Sequence, residues 1–126
     1  MKEFIQGSLR TESSQFNLLV SHEGKQYSQA RLIHAQMGMQ TEVAEFADAL
    51  KKSLFYGKPL DVVNLKEELG DLMWYMAIAM DELDTNFTAE GDRVVNKLKS
   101  RYPDKFDSDC AEHRDLDAER LILESK

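Results

Sequence analysis

Two stretches of the chain carry apolar residues at helical spacing, and an acidic pair is threaded through each. Over 28–55, Met39, Val43, Phe46, Leu50 and Leu54 recur in steps of three and four, the pattern of a stripe along one face of an α-helix. Over 61–84, Leu65, Leu69, Leu72, Met76 and Leu83 follow the same spacing. Between them, Tyr56-Gly57-Lys58-Pro59 supplies the glycine and proline that end one helix and turn the chain. The pattern predicts two long helices joined by a short loop, packed antiparallel through their stripes. A third helix is predicted over 88–100, with Thr88 as N-cap, Glu90 in the first turn and Arg101-Tyr102-Pro103 as its close. Asp109 with Glu112 reads as an Asp variant of the capping box, opening a polar last helix to about Glu124. Ser13 to Val20 reads as a short helix or an extended arm, and His22 to Lys25 as a break. No segment alternates as a strand does, so the fold class is all-α.

At 126 residues the chain is long enough for one domain, spanning 1–126, and too short for two. Its 23 acidic residues against 16 basic ones leave a formal net charge of −7. A basic surface is what polymeric nucleic acid or an anionic membrane requires, so neither is an expected partner. Nucleotides stay open, because a bound cation can supply the missing positive charge. No apolar run approaches the ~18 residues of a membrane span, and Met1-Lys2-Glu3-Phe4-Ile5 lacks the apolar core of a secretory signal. The single Cys110 cannot form an internal disulfide and fits a reducing compartment. The expectation is a soluble, cytoplasmic protein.

The candidate chemistry lies in Glu42-Val43-Ala44-Glu45 and Glu68-Leu69-Gly70-Asp71. Residues three apart share one helical face, so each pair is a two-carboxylate claw. At about 100° per residue, Glu42 and Glu68 lie roughly 80° from the centres of their stripes, and Glu45 and Asp71 roughly 140°. Glu45 stands about ten residues before the turn and Glu68 about nine after it, so at ~1.5 Å rise per residue the claws reach nearly equal height in an antiparallel pair. Four carboxylates gathered at the rim of a core repel one another and call for a cation. An all-oxygen nest suits Mg²⁺, with Mn²⁺ as a substitute, and such ions commonly accompany phosphorylated substrates.

Other residues are weaker candidates. Lys52 falls on the edge of Glu45 one heptad later and can meet a phosphate, or simply sit in the basic last turn of its helix. Asn96, Lys97 and Arg101 fall on or near one face of the third helix, as phosphate or base contacts or as helix-end basicity. His34, two turns before Glu42, suits a substrate pocket better than an all-carboxylate metal site. Trp74 lies nearly opposite the Leu65 stripe and needs a second surface, from another helix or another subunit. Gly38 and Gly70 weaken their helices locally, which close packing or a ligand would explain.

These residues resemble the all-α nucleoside triphosphate pyrophosphohydrolase superfamily, which includes MazG proteins, dimeric dUTPases, dCTP pyrophosphatases and phosphoribosyl-ATP pyrophosphohydrolases. Its signature of ExxE, a spacer and ExxD reads here as Glu42-Glu45, 22 residues, and Glu68-Asp71. The MazG-like branch is matched further by His34-Ala-Gln-Met-Gly-Met-Gln-Thr-Glu-Val-Ala-Glu-Phe, Asp48-Ala-Leu-Lys-Lys, Glu67-Glu-Leu-Gly-Asp-Leu-Met-Trp-Tyr and Asn96-Lys-Leu-Lys-Ser-Arg-Tyr-Pro-Asp-Lys-Phe, over about 30–106. The resemblance implies a four-helix-type bundle assembled as a homodimer or tetramer, with Glu42, Glu45, Glu68 and Asp71 as metal ligands. It implies cleavage of an NTP or dNTP between the α- and β-phosphates, giving a nucleoside monophosphate and pyrophosphate. Some relatives carry an extra Glu before the first claw where this chain has Thr41, which leaves the general base open between Glu42 and Glu45. Two other classes compete. A di-iron helical oxidase wants Glu-x-x-His motifs, and the residues three after Glu45, Glu68 and Asp71 are Asp48, Asp71 and Trp74. A non-catalytic nucleotide-binding or helical interaction module of the same fold is the other, and intact claws argue against it.

Overall fold

The computed structural model describes residues 1–125. They form α1 (Lys2–Leu9), β1 (Leu19–Val20), β2 (Gln26–Tyr27), α2 (Gln29–Tyr56), α3 (Val62–Glu82), α4 (Phe87–Arg101), α5 (Ser108–Glu112) and α6 (Leu116–Glu124). The architecture is helical. The one exception is a two-residue antiparallel ladder, Leu19 opposite Tyr27 and Val20 opposite Gln26, where an arm or short helix was expected. Main-chain bonds from Ser21 to Lys25 and from Gly24 to Ser21 close its turn, with Gly24 at φ +84°.

α2 and α3 form an antiparallel hairpin that carries the site, with ends marked by local chemistry. The Ser28 hydroxyl caps α2 by accepting from Arg31 N, and the Asp61 carboxylate caps α3 by accepting from Asn64 N at 3.0 Å. Gly57 ends α2 in the left-handed conformation (φ +64°) that a glycine adopts without strain. At the open end, Ser28 N donates to Glu82 Oε1 at 2.6 Å, while Arg31 bonds Glu82 at 2.8 Å and Asp81 at 2.6 Å. This clasp joins residues fifty or more apart in sequence and ties the two helices together.

The seam between them differs from the expected stripe. The buried positions on α2 are Ala35, Gly38 and Ala49, small residues that let two backbones approach closely. A Cβ added at Gly38 would stand 2.1 Å from Tyr75 Cδ1, so the ring of Tyr75 fills the notch that the glycine leaves. Glu42 lies on this same line of α2, and Glu68 is the buried residue of α3. Of the stripe residues, Met39, Phe46, Leu50, Leu65, Leu72 and Met76 are half-buried, while Val43 is 56 % exposed and Leu54 75 %. Large apolar side chains identify what is hydrophobic, whereas the tightest interhelical contact goes to the smallest ones. Gly70, in contrast to Gly38, faces open space, and no contact explains it.

The third and last helices also begin differently. Asn86, not Thr88, caps α4, its side chain accepting from Ala89 N at 3.0 Å. The single polar helix expected over 109–124 is two, because Asp107 caps α5 and Asp115 caps α6. α6 packs against α4, where Glu119, 5 % exposed, receives Arg101 through two bonds of 2.7 and 2.6 Å and Arg114 through a bond of 2.7 Å. The two guanidiniums pull the Glu119 carboxyl down to about 2.

Candidate functional site

The hairpin brings three of the four claw carboxylates together. Glu42, Glu68 and Asp71 each offer an oxygen, and the three lie within 4.8 Å of one another. Glu42 is half-buried, Glu68 buried and Asp71 exposed, so the group opens outward from the seam. Partial burial, then the charges of Glu45 and Asp71 and the contact with Glu68, push the Glu42 pKa up from its ordinary value. That is the signature of carboxylates crowded without a countercharge. Glu45 is exposed and lies outside the convergent trio, though near enough to act on Glu42 through space.

The supporting groups are local. Asn64, one turn before Glu68, donates its side-chain amide to Glu68 Oε1 at 2.6 Å. Its own N–H is held by Asp61, so the cap that starts α3 also seats the residue that orients Glu68. Sequence reasoning overlooked Asn64, although its i, i+4 spacing to Glu68 was readable. Thr41, directly before the first claw, donates its hydroxyl to Gly38 O at 2.8 Å and approaches Glu42 Oε1 at 3.4 Å.

The weaker candidates are spread out. Lys52 pairs with Asp48 at 2.7 Å, as Lys51 does at 2.8 Å, and the two ammoniums hold Asp48 at about 2. Arg101 is committed to Glu119, its side chain only 15 % exposed. Asn96 lines a small cavity with Ala89, Asp92 and Ile122, between α4 and α6. Lys97 is half-buried on α4. His34 meets Tyr75 in an edge-to-face arrangement, ring centroids 5.7 Å apart, and Trp74 also packs edge-to-face with Tyr75 while remaining 59 % exposed.

A cavity of about 140 Å³ abuts the acidic group, lined by Glu42, Glu68, Val43, Phe46, Leu69 and Leu72. Carboxylates thus stand at the edge of an apolar hollow. The donor set is all oxygen and anionic, which fits a hard divalent cation and disfavours metals that want nitrogen or sulfur. No helix among the described residues is long and apolar enough to cross a membrane.

Comparison with known proteins bears on the family. Residues 34–106 match the MazG nucleotide pyrophosphohydrolase domain, a span holding both claws and ending beyond α4. The Gene 37 protein of Mycobacterium phage L5 is 36 % identical over 77 residues, covering 56 % of this chain and 65 % of that protein, under two thirds of its length. No solved structure matches significantly. With the matched span exceeding half of the chain, this protein belongs to the MazG nucleotide pyrophosphohydrolase domain family.

Proposed function

We propose that this protein is a metal-dependent nucleoside triphosphate pyrophosphohydrolase, splitting an NTP or dNTP between the α- and β-phosphates into a nucleoside monophosphate and pyrophosphate. The observation that carries the reading is the convergence of Glu42, Glu68 and Asp71 at one point of the α2–α3 hairpin. Their donor chemistry fits Mg²⁺, or Mn²⁺ in its place. When bound, such an ion supplies the positive charge that a polyphosphate needs and makes a coordinated water more acidic.

The protein's own groups divide the remaining work. Glu42, Glu68 and Asp71 hold the ion, and Asn64 keeps the Glu68 carboxylate turned toward it. Glu45, exposed and outside the trio, is the carboxylate left to accept a proton from the attacking water. Lys52 can reach a phosphate only by leaving Asp48, an exchange of one exposed anion for a more highly charged one. Arg101, Asn96 and Lys97 would act only where α4 approaches a site, and Arg101 is the least available because of Glu119. His34 stands beside Tyr75 as a pocket wall and not as a ligand.

Assembly belongs to the same proposal. Val43, Leu54 and Trp74 present apolar surface that one hairpin leaves uncovered, and a homodimer or tetramer with sites near its interface would cover it. The test is a panel of canonical and modified NTPs and dNTPs with Mg²⁺ or Mn²⁺, resolving pyrophosphate from phosphate. Monophosphate plus pyrophosphate, abolished by EDTA, is the expected result. Stepwise release of orthophosphate would rule the reaction out.

A further inference from the structure

Toward the open end of the hairpin, beyond the acidic group, lies a cleft of different character. It is an open cleft of about 460 Å³ along α2 and α3, bounded by the start of α4, within the volume range of small-molecule sites. Met39, Met76, Ala79, Met80 and Leu83 form its apolar walls, while Asp84, Thr85, Glu90 and Arg93 supply its polar part. Successive turns of α2 line both hollows. Met39 also lines a shallower recess with Val43, and Val43 lines the hollow at Glu42 and Glu68. Along the helices, Met39 is one turn from Glu42 and Met76 five residues from Asp71, about 4.5 and 7.5 Å of rise. A ribose and one phosphate can bridge such a gap.

We propose that this methionine-walled cavity receives the nucleobase of the substrate whose phosphates lie at Glu42, Glu68 and Asp71. The inference rests on the hydrolase reading and names the part of the nucleotide it left open. Methionine thioethers are polarisable and adaptable, and they make favourable contacts with flat aromatic rings. The polar end adds direction. Glu90 Oε1 accepts from the Thr85 hydroxyl and lies 3.6 Å from the Arg93 guanidinium. The hydrogen bonds among the described residues leave its Oε2 unengaged, and this carboxylate only accepts while Arg93 only donates.

A base that sets N–H donors against Glu90 and a carbonyl against Arg93 fits best. Guanine has two adjacent N–H donors beside a carbonyl. Adenine and cytosine offer one amino group. Uracil and thymine place a carbonyl on each side of a single N–H, so one of them would face the carboxylate. The ranking is therefore guanine first and uracil or thymine last.

Binding can be read without turnover, from the methionine methyl resonances of the ¹³C-labelled full chain titrated in Mg²⁺ with GMP and UMP, which as monophosphates have no α–β bond to cleave. Met76 and Met80 should shift with GMP at about tenfold lower concentration than with UMP, the effect of one hydrogen bond to a charged group. Glu90→Gln should erase that preference, and Ala79→Trp, which fills the cavity, should silence the shifts. Silent methyls with both nucleotides would overturn the inference, as would shifts that follow protein concentration and mark a contact between subunits. Equal affinity for GMP and UMP would overturn the assigned role of Glu90. Silent methyls alongside turnover would sink the base site and leave the hydrolase standing. Methyl shifts without turnover on any triphosphate would do the reverse.

Discussion

The Asn64 amide donates to Glu68 Oε1 at 2.6 Å from one helical turn earlier, on the side of Glu68 toward the α2–α3 loop. Because Asp61 caps the Asn64 N–H, the start of α3 and the aim of Glu68 are parts of one arrangement. Asn64→Ala should leave the helix intact and lower Mn²⁺ affinity by roughly 10- to 100-fold, as loss of a hydrogen bond behind a ligand does. Calorimetric titration of the folded variant checks this. Wild-type affinity would reduce Asn64 to a helix-surface contact.

Glu45 and Glu68 should separate binding from chemistry. Glu68→Gln removes a buried member of the convergent trio, so Mn²⁺ binding should collapse together with turnover. Glu45→Gln should keep most of the metal affinity and lose about 10²-fold or more in kcat, the usual contribution of a proton acceptor. Paired titrations and steady-state rates distinguish the two. Equal loss of metal in both variants would make Glu45 a fourth ligand.

Acid should release the C-terminal helix before the hairpin. The Glu119 carboxyl lies at about 2 in the folded chain against an ordinary value near 4.5. A depressed folded value means that its pairing with Arg101 and Arg114 stabilises fully above pH 4.5 and is lost as pH falls from there toward 2. Amide exchange across 116–124 should therefore accelerate over that window. Glu119→Gln should show fast exchange already at neutral pH and lose the pH dependence. Asp48, its carboxyl held equally low by Lys51 and Lys52, should contribute little to this curve because the three side chains are solvent-exposed.

Stability should depend on protein concentration. Ala35 and Ala49 are the buried apolar residues among those described, a small core for a chain with Val43, Leu54, Phe55, Val63 and Trp74 on its surface. If copies of the chain cover that surface, the Tm should rise with each tenfold increase in concentration. Trp74→Glu should lower the assembly state in sedimentation experiments and flatten the dependence. A concentration-independent Tm for wild type would argue against self-association.

The hairpin was legible because its punctuation is local. Ser28, Gly57 and Asp61 act through side chains or φ angles that need no tertiary context, and the helices begin and end within two residues of expectation. Helix starts in acid-rich sequence were less legible. Asn86, Asp107 and Asp115 cap as competently as the neighbours chosen for the role, and only the main-chain path decides among them. The spacing of the claws grouped all four carboxylates, and oxygens of three of them, Glu42, Glu68 and Asp71, converge in the structure. It did not reveal that Glu45 would stand apart, since phase around a helix fixes direction but not how close two helices come. Arg101 shows the same boundary: its partner Glu119 lies on a helix whose packing no local pattern announces.

That interhelical distance is set at Gly38. With the Tyr75 ring lodged where a Cβ would be, the backbones of α2 and α3 come closer than any side chain at 38 would permit. Glu42 is one turn further along α2, so the width of the gap there is inherited from the notch. Mg²⁺ binds oxygen at about 2.0–2.1 Å and Ca²⁺ at about 2.3–2.6 Å, a difference that slight spreading of two helices can erase. For any cation held by Glu42, Glu68 and Asp71, the choice of ionic radius is thus governed in part by a residue with no ligand atom to offer.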